Sequence, residues 1–423
     1  MSGLSYLEKL LDGAEVEWRT LDSVGQFLRG KRFVKSDLIS EGVPCIHYGE
    51  MYTHYGISAE ETKSFLDEGV AEKLRVANHG DVIIVAAGET IEDIGNGTAW
   101  LGKNDVVFHD ACFSFKSELN SKYVSYFLRT NLFKEQIKRG VSSGKISSIN
   151  AKGLGMAEIP IPCPNNPEKS LAIQSEIVRI LDKFTALTAE LTAELTMRKK
   201  QYNYYRDQLL SFKEGEVEWK TLGDVTKKWY SGGTPTAGKI EYYENGNIPW
   251  LRTQEVKFSE IDSTEIKITQ AALKNSSAKW IPRNCVIIAI SGATAGRSAI
   301  NKIPLTTNQH CGCLEIDDTK ALYRYVFHWV SFNYENIKSL GQGARGDLNS
   351  TIIKNFKLPI PYASDPQKSL KEQARIVEIL DKFDTLTNSI TEGLPREIEL
   401  RQKQYEYYRD LLFSFPKPDT VSN

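Results

Sequence analysis

The chain has 423 residues, of which 41% are hydrophobic and 25% are charged, so it can bury a sizeable core and is not broadly disordered. Its 53 Lys and Arg residues against 54 Asp and Glu residues give a formal net charge of −1, which excludes a protein that coats nucleic acid by overall charge alone. Six cysteines with a single close pair, Cys311 and Cys313, exclude a disulfide scaffold and a zinc site built from two pairs, and they fit a reducing cytoplasm.

In chain order, the sequence opens with a short block that occurs again in the middle of the chain. The first residues, MSGLSYLEKLL, carry early acidic charge and no small-residue cleavage site, so we predict no signal peptide. Glu15–Trp18 (EVEW) recurs as Glu216–Trp219, at an offset of 201 residues. The block therefore marks the start of an internal repeat.

A variable stretch of roughly 150 residues follows each copy of this block, and the two stretches scarcely resemble each other. Asp81–Ala86 and Cys285–Ile290 are short apolar runs that predict buried strands. They are far too short to span a membrane. Tyr123–Phe133 and Leu322–Phe332 have the spacing of amphipathic helices. The stretches are therefore α+β, with a topology that the pattern does not reveal.

Each variable stretch is followed by a nearly duplicated one. Lys169–Phe184 recurs as Lys368–Phe383 with 11 of 16 positions identical, and Gln201–Phe212 recurs as Gln404–Phe415 with 9 of 12 identical. The end of the first copy runs directly into the start of the second. If the copies fold alike about a twofold axis, the C-terminus must lie near the N-terminus, so we predict a pseudo-twofold, nearly circular molecule.

The duplicated stretch has the pattern of a long helix. Apolar residues recur at steps of three and four from Ile177 to Leu209, and the second copy repeats the pattern. Such a helix would be roughly 65 Å long, whereas Gly393 and Pro395 should kink or break the second one. So narrow and long an apolar seam needs a partner helix, and the sister copy, running antiparallel, is the natural candidate. The alternative is two amphipathic helices, each buried against its own domain.

The first helix contains the tetrapeptide Thr-Ala-Glu-Leu twice in succession, as Thr188–Leu191 and Thr192–Leu195. One unit adds about 6 Å of helix and about 40° beyond a full turn. One base pair of B-DNA adds about 3.4 Å and about 35°. Adding or removing one unit would therefore move one domain relative to the other by about one to two base-pair steps.

Searches for catalytic and cofactor motifs fail in both halves. Gly341–Gly346 fits the dinucleotide pattern G-x-G-x-x-G but follows a helix or loop instead of a strand. We interpret it, like Gly140–Gly144, as part of a flexible basic loop with Arg345 or Lys145 at the tip. Gly292–Ser298 is one residue short of a phosphate loop and has Arg in place of Lys. The six histidines are scattered, so we predict a chain with no catalytic residues and no metal ligands.

These residues together resemble the specificity subunit of type I restriction–modification enzymes, in particular the type IC group with tandem Thr-Ala-Glu-Leu repeats. The resemblance rests on Tyr6–Trp18, Pro167–Glu218 and Ser369–Phe415, and on Ser231–Pro235 (SGGTP) at the opening of the second variable stretch. It implies an α+β fold in which two α/β target recognition domains are joined by two long conserved helices. These helices would form an antiparallel coiled coil in a pseudo-twofold, circular arrangement.

The resemblance also implies how the chain is divided. Residues 1–166 would form target recognition domain 1 with a short N-terminal conserved segment, and residues 167–214 the central conserved helical region. Residues 215–365 would form target recognition domain 2, and residues 366–423 the C-terminal conserved helical region and tail. Each domain would read one half of a bipartite DNA site, and the helices would set the spacer between the halves.

The partners follow from the same resemblance. The helices would dock two modification subunits, which bind S-adenosylmethionine and methylate adenine N6 in double-stranded DNA. Restriction subunits, the translocase and nuclease that use ATP with Mg, would then join for phage defence. The chain itself would be a non-catalytic cytoplasmic subunit without its own cofactor. A coiled-coil adaptor that binds only proteins, and an enzyme whose site escapes a motif search, are the alternatives.

Base reading requires polar side chains on loops that enter the major groove. The predicted DNA contacts are Arg29, Lys31, Arg32, Tyr48, Lys145 and Ser147 in the first domain, and Ser231, Thr234, Arg252, Arg297, Gln309 and Arg345 in the second. The predicted contacts with partner subunits, or with spacer phosphates, are Arg198, Lys199, Lys200, Tyr204, Arg206, Arg401, Lys403, Tyr407 and Arg409. For each, the alternative is a solvated or structural residue, and for Tyr48 a core position.

Overall fold

The computed structural model describes residues 3–142, 144, 146–343, 346–389 and 391–417, so the predicted DNA contacts Lys145 and Arg345 lie outside the described residues. The chain divides into two compact units. The first unit is Met1–Thr192 with Glu397–Asn423, and the second is Ala193–Arg396. Each unit therefore combines one variable stretch with parts of both duplicated stretches.

The first unit is built on two mixed sheets with two small strand pairs. Its strands are Val16–Thr20 (β1), Gly25–Arg29 (β2), Val43–Ile46 (β3), Ser58–Ala59 (β4), Ser64–Leu66 (β5), Val76–Ala77 (β6), Val82–Val85 (β7), Ala87–Gly88 (β8), Gly97–Trp100 (β9), Val106–Phe108 (β10), Cys112–Ser117 (β11), Ser147–Ser148 (β12) and Glu158–Pro162 (β13). The larger sheet has the order β2-β11-β7-β9-β4 and the smaller one β5-β3-β10-β6, while β1 pairs with β13 and β8 with β12. The predicted strand at 81–86 is confirmed as β7, whose four residues are all buried.

Short helices cover these sheets, and a long one leaves them. The helices are Gly3–Leu11 (α1), Leu21–Val24 (α2), Glu50–Thr53 (α3), Glu68–Ala71 (α4), Ser121–Phe127 (α5), Asn131–Ile137 (α6), Ala151–Gly155 (α7) and Pro167–Leu209 (α8). The prediction of one amphipathic helix over Tyr123–Phe133 is wrong. The chain breaks between α5 and α6 because the Thr130 side chain accepts a hydrogen bond from Phe133 N and so caps a new helix. In addition, residues 123–127 of α5 are all buried, whereas an amphipathic helix would bury only one face.

The second unit repeats the plan of the first, although the two variable stretches scarcely match in sequence. Its strands are Val217–Thr221 (β14), Thr226–Ser231 (β15), Ile248–Leu251 (β16), Glu260–Ile261 (β17), Ile266–Ile268 (β18), Val286–Ala289 (β19), Ser298–Asn301 (β20), Thr306–Thr307 (β21), Cys311–Ile316 (β22) and Lys357–Pro361 (β23). The five-stranded order β15-β22-β19-β20-β17 matches that of the first unit strand for strand, β18-β16-β21 forms the smaller sheet, and β14 pairs with β23. The predicted buried strand at 285–290 is confirmed as β19.

The remaining helices include the one predicted over Leu322–Phe332, although its residues 325–330 are all buried and not only those of one face. They are Gln270–Lys274 (α9), Tyr323–Phe332 (α10), Tyr334–Ser339 (α11), Ser350–Asn355 (α12), Pro366–Asn388 (α13) and Gly393–Leu412 (α14). The second duplicated stretch is thus broken at the predicted place, since α14 begins at Gly393, whose φ is +79°. The first is an unbroken helix of 43 residues, as predicted. Within the described ranges, no helix combines the length and apolarity needed to cross a membrane.

In the first unit, α5 reveals the direction of the two long helices beside it. Asn120, just before α5, donates its N–H to Gln174, and Tyr126, near the end of α5, donates to Asp182. The residue numbers therefore rise together along α5 and α8.

The opposite order holds for α14. Tyr123 packs on Phe413 and Tyr126 packs on Tyr405, so the residue numbers of α14 fall as those of α5 rise. In this unit α8 and α14 therefore run antiparallel, as the sequence predicts. The first half of α8 also buries Ile177 and Leu181 in the core of its own unit, so part of the alternative interpretation holds as well.

The same ring pair joins the helices of the two copies in each unit. Phe184 of α8 stacks on Tyr408 of α14 with centroids 5.3 Å apart and planes at 24°. In the second unit Phe383 of α13 stacks on Tyr205 of α8, at 5.4 Å and 25°. Phe184 matches Phe383 in the repeat, and Tyr205 matches Tyr408. Each unit therefore packs its two long helices through the same pair of repeat positions, with the copies exchanged.

The C-terminal tail lies against the N-terminal strand in the first unit, as predicted for the two ends of the chain. Trp18 of β1 donates its indole N–H to the carbonyl oxygen of Pro416 at 3.1 Å. The Lys417 ammonium lies 5.5 Å from the centre of the Trp18 ring and pairs with Glu158 of β13. Pro416 and Lys417 therefore hold the end of the chain against β1 and β13 of the same unit.

Candidate nucleic-acid interface

In the first unit, two parallel strands bring distant loops together. Phe108 of β10 lies opposite Ile46 of β3, so the loops that follow these strands begin side by side. The loop after β2 joins them, because Arg29 donates its Nε–H to the carbonyl oxygen of Asp110 at 3.0 Å. We call residues 29–35, 47–49 and 109–111 the first loop cluster.

Aromatic rings fill the centre of the first loop cluster. The His109 ring lies 5.2 Å from Phe33, 5.0 Å from His47 and 4.9 Å from Tyr48, measured between centroids. His109 is only 8% exposed, whereas Tyr48 is 37% exposed. Tyr48, a predicted DNA contact, therefore has one packed face and one face open to solvent.

Two histidines that are far apart in the sequence, and that no motif connects, meet in this cluster. Burial lowers the pKa of His47 and of His109 below the ordinary value, so both rings are neutral at pH 7. His47 Nδ1 accepts a hydrogen bond from Gly49 N at 3.2 Å, which leaves the proton of the neutral ring on Nε2. A neutral imidazole in this state offers one donor, which suits acceptor atoms of base edges.

The predicted basic contacts surround these rings. Arg29, Lys31 and Arg32 are exposed, and Lys31 is partly held because its Nζ donates to the carbonyl oxygen of Lys73 at 2.8 Å. Exposed basic side chains on loops beside a reading surface are the usual partners of DNA phosphates.

The second unit forms its loop cluster in the same way. Leu251 of β16 lies opposite Thr307 of β21 in a parallel pair. Thr234, in the loop after β15, donates its hydroxyl to Gln309 Oε1 at 2.7 Å. We call residues 231–236, 252–254 and 308–310 the second loop cluster, and both Thr234 and Gln309 in it are exposed.

The second loop cluster is polar where the first is aromatic. Arg252 occupies the position after β16 that His47 occupies after β3, and its guanidinium pairs with Glu265 at 2.5 Å and with Glu255 at 3.7 Å. The carboxylates hold this guanidinium in a fixed place. Among the other predicted contacts, Ser231 and Arg297 are only partly exposed.

Strand register shows that the two clusters are equivalent. In the larger sheet of the first unit Arg29 lies opposite Phe113, and in that of the second unit Ser231 lies opposite Gly312. Phe113 and Gly312 are each the second residue of the same strand in the two sheets. Two predicted contacts, Arg29 and Ser231, thus hold the same position in their units.

Two further loops were predicted to contact DNA. Ser147 is buried at 3% exposure on β12, where it pairs with Gly88 of β8. A short bridge between Gln342 and Asp347 closes the corresponding loop of the second unit. The tips of these loops include Lys145 and Arg345, which lie outside the described residues.

The predicted partner contacts lie on the long helices, and many fall on two equivalent exposed faces. Tyr204 and Tyr407 are each 62% exposed, and seven residues before them Met197 and Leu400 are 59% and 40% exposed. Residues seven apart share one face of a helix. We call the two pairs, with the intervening Lys200 and Lys403, the first and second helix faces.

The arginines of these helices are largely occupied within the chain. Arg198 contacts Glu194 at 3.3 Å, and Arg401 contacts Glu397 at 2.7 Å, in an equivalent pair of ion pairs. Arg206 lies over the Phe332 ring.

The predicted lysine contacts are exposed, whereas Arg409 is buried. Lys199 and Lys403 are exposed, and Lys403 pairs with Glu399. Arg409 is only 8% exposed, pairs with Asp410, and lines a cavity of about 570 Å³ in the first unit.

Comparison with known proteins decides what this architecture is. The profile of the family described as "Type I restriction modification DNA specificity domain" matches residues 14–197 and again residues 214–400. The chain belongs to this family. Its two matches coincide with the duplication, so this specificity chain carries two recognition domains.

Known specificity subunits match along the whole chain. The Escherichia coli EcoR124I/EcoR124II type I specificity subunit is 47% identical, and the match covers 100% of both chains. The E. coli EcoprrI specificity subunit is 34% identical over 93% of each chain. The solved type I S subunit from M. genitalium has the same fold, with a TM-score of 0.58, 16% identity and coverage of 96% of this chain and 98% of that one.

As a type I specificity subunit, the chain is a non-catalytic component of its enzyme, and the protein-only adaptor is not favoured. The geometry agrees with this role. Two scaffolds of one fold hold loop clusters of different chemistry at equivalent positions, and the helices of the two copies pack on one another.

Proposed function

We propose that the first loop cluster reads one half of a bipartite DNA site and the second loop cluster reads the other, while α8 sets the number of unread base pairs between them. The functional division follows the predicted one, with recognition domains at 1–166 and 215–365 and helical regions at 167–214 and 366–423. The proposal covers the eight predicted DNA contacts that lie in these clusters and adds His47 to them. Lys145, Arg297 and Arg345 stay proposed contacts outside the clusters, whereas Ser147 is buried and is not proposed as one.

The observation that supports this best is the chemical contrast between two equivalent clusters. One cluster has His47, Tyr48 and basic side chains, whereas the other has Thr234, Arg252 and Gln309 at corresponding loops. Because the two units share one sheet order, both loop clusters would meet DNA in the same way, and their different side chains would select different bases. A protein-binding adaptor would have no need for two divergent clusters on one duplicated scaffold.

Sequence-selective gel retardation by the chain co-expressed with its modification subunits tests the proposal. With a net charge of −1, the chain cannot bind DNA through overall charge. We therefore expect it to bind a duplex that contains the sequence methylated by the complex at about 150 mM salt, where non-specific binding is weak. Equal retention of a duplex with scrambled half-sites would contradict base reading. Methyl transfer by the isolated chain would instead favour the enzyme alternative.

The partners we propose are those of a type I complex. Two modification subunits would bind the helical regions, carry S-adenosylmethionine and methylate adenine N6, and restriction subunits would supply the ATP- and Mg-dependent translocase and nuclease. Double-stranded DNA in the cytoplasm would be the common substrate. Support comes from the family assignment and from the two equivalent helix faces, one for each copy of the same partner.

Replacing Tyr204 by Ala should weaken the binding of one modification subunit by about 30-fold, because a central aromatic contact is worth about 2 kcal/mol at an interface. Tyr407→Ala should do the same for the other subunit, since both tyrosines are 62% exposed at matching positions. Native mass spectrometry over a concentration series measures the effect as loss of one bound subunit, and the double variant should lose both.

Asn203→Ala is the matched control for this prediction. Asn203 is exposed and precedes Tyr204, but it points about 100° away around the helix. Two modification subunits bound at unchanged affinity to Tyr204→Ala would show that the helix faces are not the docking sites.

A further inference from the structure

The same three polar residues recur on the inner side of both long helices. Ser170, Gln174 and Asp182 of α8 correspond to Ser369, Gln373 and Asp381 of α13. Gln174 and Gln373 are 1% and 0% exposed. A polar side chain buried this deeply costs stability unless its hydrogen bonds are satisfied, so its partners are informative.

The glutamines attach each recognition domain at the start of one domain helix. Gln174 Oε1 accepts from Asn120 N, just before α5, and Gln373 Oε1 accepts from Leu322 N, just before α10, both at 2.9 Å. Each glutamine amide also donates to the serine one turn earlier on its own helix. This is one fixed point between domain and helix in each unit.

In the first unit, Asp182 supplies a second fixed point further along. Its carboxylate lies 2.5 Å from Lys122 Nζ and accepts from the Tyr126 hydroxyl at 2.7 Å. Tyr126 is fully buried, and its other side packs on Tyr405.

In the second unit, Asp381 does the same with different partners. It lies 2.6 Å from Arg324 Nε and 2.7 Å from His328 Nε2, and Arg324 also pairs with Glu260. Burial acts to raise the pKa of Asp381, but the contacts with His328 and Arg324 outweigh it and hold the pKa below the ordinary value. The ionised carboxylate is therefore the form that the structure stabilises.

The domain residues in these contacts show that the arrangement is the same in both units. The two variable stretches scarcely match in sequence, yet each offers two donors four residues apart at the same place on the same helix. Lys122 and Tyr126 contact Asp182, and the different side chains of Arg324 and His328 contact the equivalent Asp381. Charge-assisted hydrogen bonds of this kind are stronger and shorter than neutral ones.

We propose that Asp182 and Asp381 are positioning residues that fix the orientation of each recognition domain on its helix and thereby sharpen the choice of spacer length. The inference rests on the proposed function. In each unit apolar side chains of the long helix, such as Ile177 and Ile376, already pack into the domain core, and the glutamine fixes one end of the contact. The aspartate, further along the helix, limits the rotation that remains. A pivoting domain displaces its loop cluster along the DNA and tolerates spacers that a fixed domain rejects.

The test uses the assembled methyltransferase with Asp381→Asn and Asp182→Asn, singly and together. A plasmid library carries the natural half-sites with the natural spacer and with one base pair more or fewer, and methylation is counted by sequencing. We expect the ratio of methylation at the natural spacer to methylation at the altered spacers to fall by roughly tenfold in each variant, with the bases read unchanged. Glu378→Gln, which removes an exposed carboxylate on α13 that pairs with Lys382, is the control and should keep the wild-type ratio.

A methylation ratio equal to that of the wild type in both folded variants would overturn the inference. This includes the case in which methylation falls by the same factor at all spacers, because such a loss indicates a merely structural role. If Asp182→Asn fails to fold, Tyr126→Phe removes a single hydroxyl from the same contact and should change the ratio in the same direction. Absence of site-selective methylation by the wild type would instead contradict the proposed function itself, so the two failures are distinguishable.

Discussion

Deletion of Thr192–Leu195 should shorten the spacer of the methylated site by about one to two base pairs and leave the bases of both half-sites unchanged. The deletion removes about 6 Å and about 40° beyond one full turn from α8, which is a continuous helix from Pro167 to Leu209. The apolar seam keeps its phase within a few tens of degrees, so the helix should still pack. Methylation mapping of genomic DNA from cells that express the variant with its modification subunit measures the spacer directly.

The geometry favours a rod that can change length. The lost residues lie between the two ring contacts of α8, one at Phe184 and the other at Tyr205. The opposite stretch is not continuous, because α13 ends at Asn388 and α14 begins at Gly393. That interruption can take up the mismatch in length.

A length-preserving variant is the control for the deletion. Thr188→Ala with Thr192→Ala changes the first residue of both tetrapeptides but keeps every later residue in register, so the spacer should stay as in the wild type. Insertion of a third Thr-Ala-Glu-Leu unit should lengthen it by the same step. A methylation map with the original spacer after deletion would refute the ruler.

The second large effect should come from the loop clusters. Tyr48→Ala should relax recognition at one base pair of a single half-site by about tenfold to a hundredfold, since a mismatched base pair typically costs about 1–3 kcal/mol. Tyr48 packs on His47 and His109 and exposes its other face, so its loss also frees the neighbouring His47 ring. Competition between sites that differ in single bases, scored by methylation, measures the change.

Gln309→Ala makes the reciprocal test. Gln309 is exposed in the second loop cluster and bonded to Thr234, so its removal should relax the other half-site and spare the first. Ratios between sites cancel any general loss of activity or stability. If either variant relaxed both half-sites together, or neither, the assignment of one cluster to each half would fail.

The long helix shows what a sequence pattern predicts well. The steps of three and four from Ile177 onward predicted a helix that the structure confirms, and Gly393 marked the break in the second copy. Both features depend on residues a few positions apart, where helix geometry relates spacing directly to a shared face. The single helix predicted over Tyr123–Phe133 failed because the cap at Thr130 divides the run, and residues 123–127 before the cap are buried on all sides.

The loop clusters show what such a pattern cannot give. His47 and His109 follow different strands, and only the parallel pairing of β3 with β10 places their rings 5.0 Å apart. In the sequence the histidines therefore look unconnected. The sequence pattern also does not reveal that Ser147 and Arg409 are buried, because burial of a polar side chain depends on what packs over it.

The sequence by itself determined the duplication, the two helical stretches, the repeated tetrapeptide in the first of them and the family, because identity at a fixed offset and helical periodicity are properties of the linear chain. Tertiary structure alone decided that two stretches that scarcely match in sequence share one sheet order, which side chains meet in each loop cluster, and which domain residues contact Asp182 and Asp381. The physical reason is that strand pairing and burial join residues far apart in the chain, and their partners are chosen by packing of the whole unit.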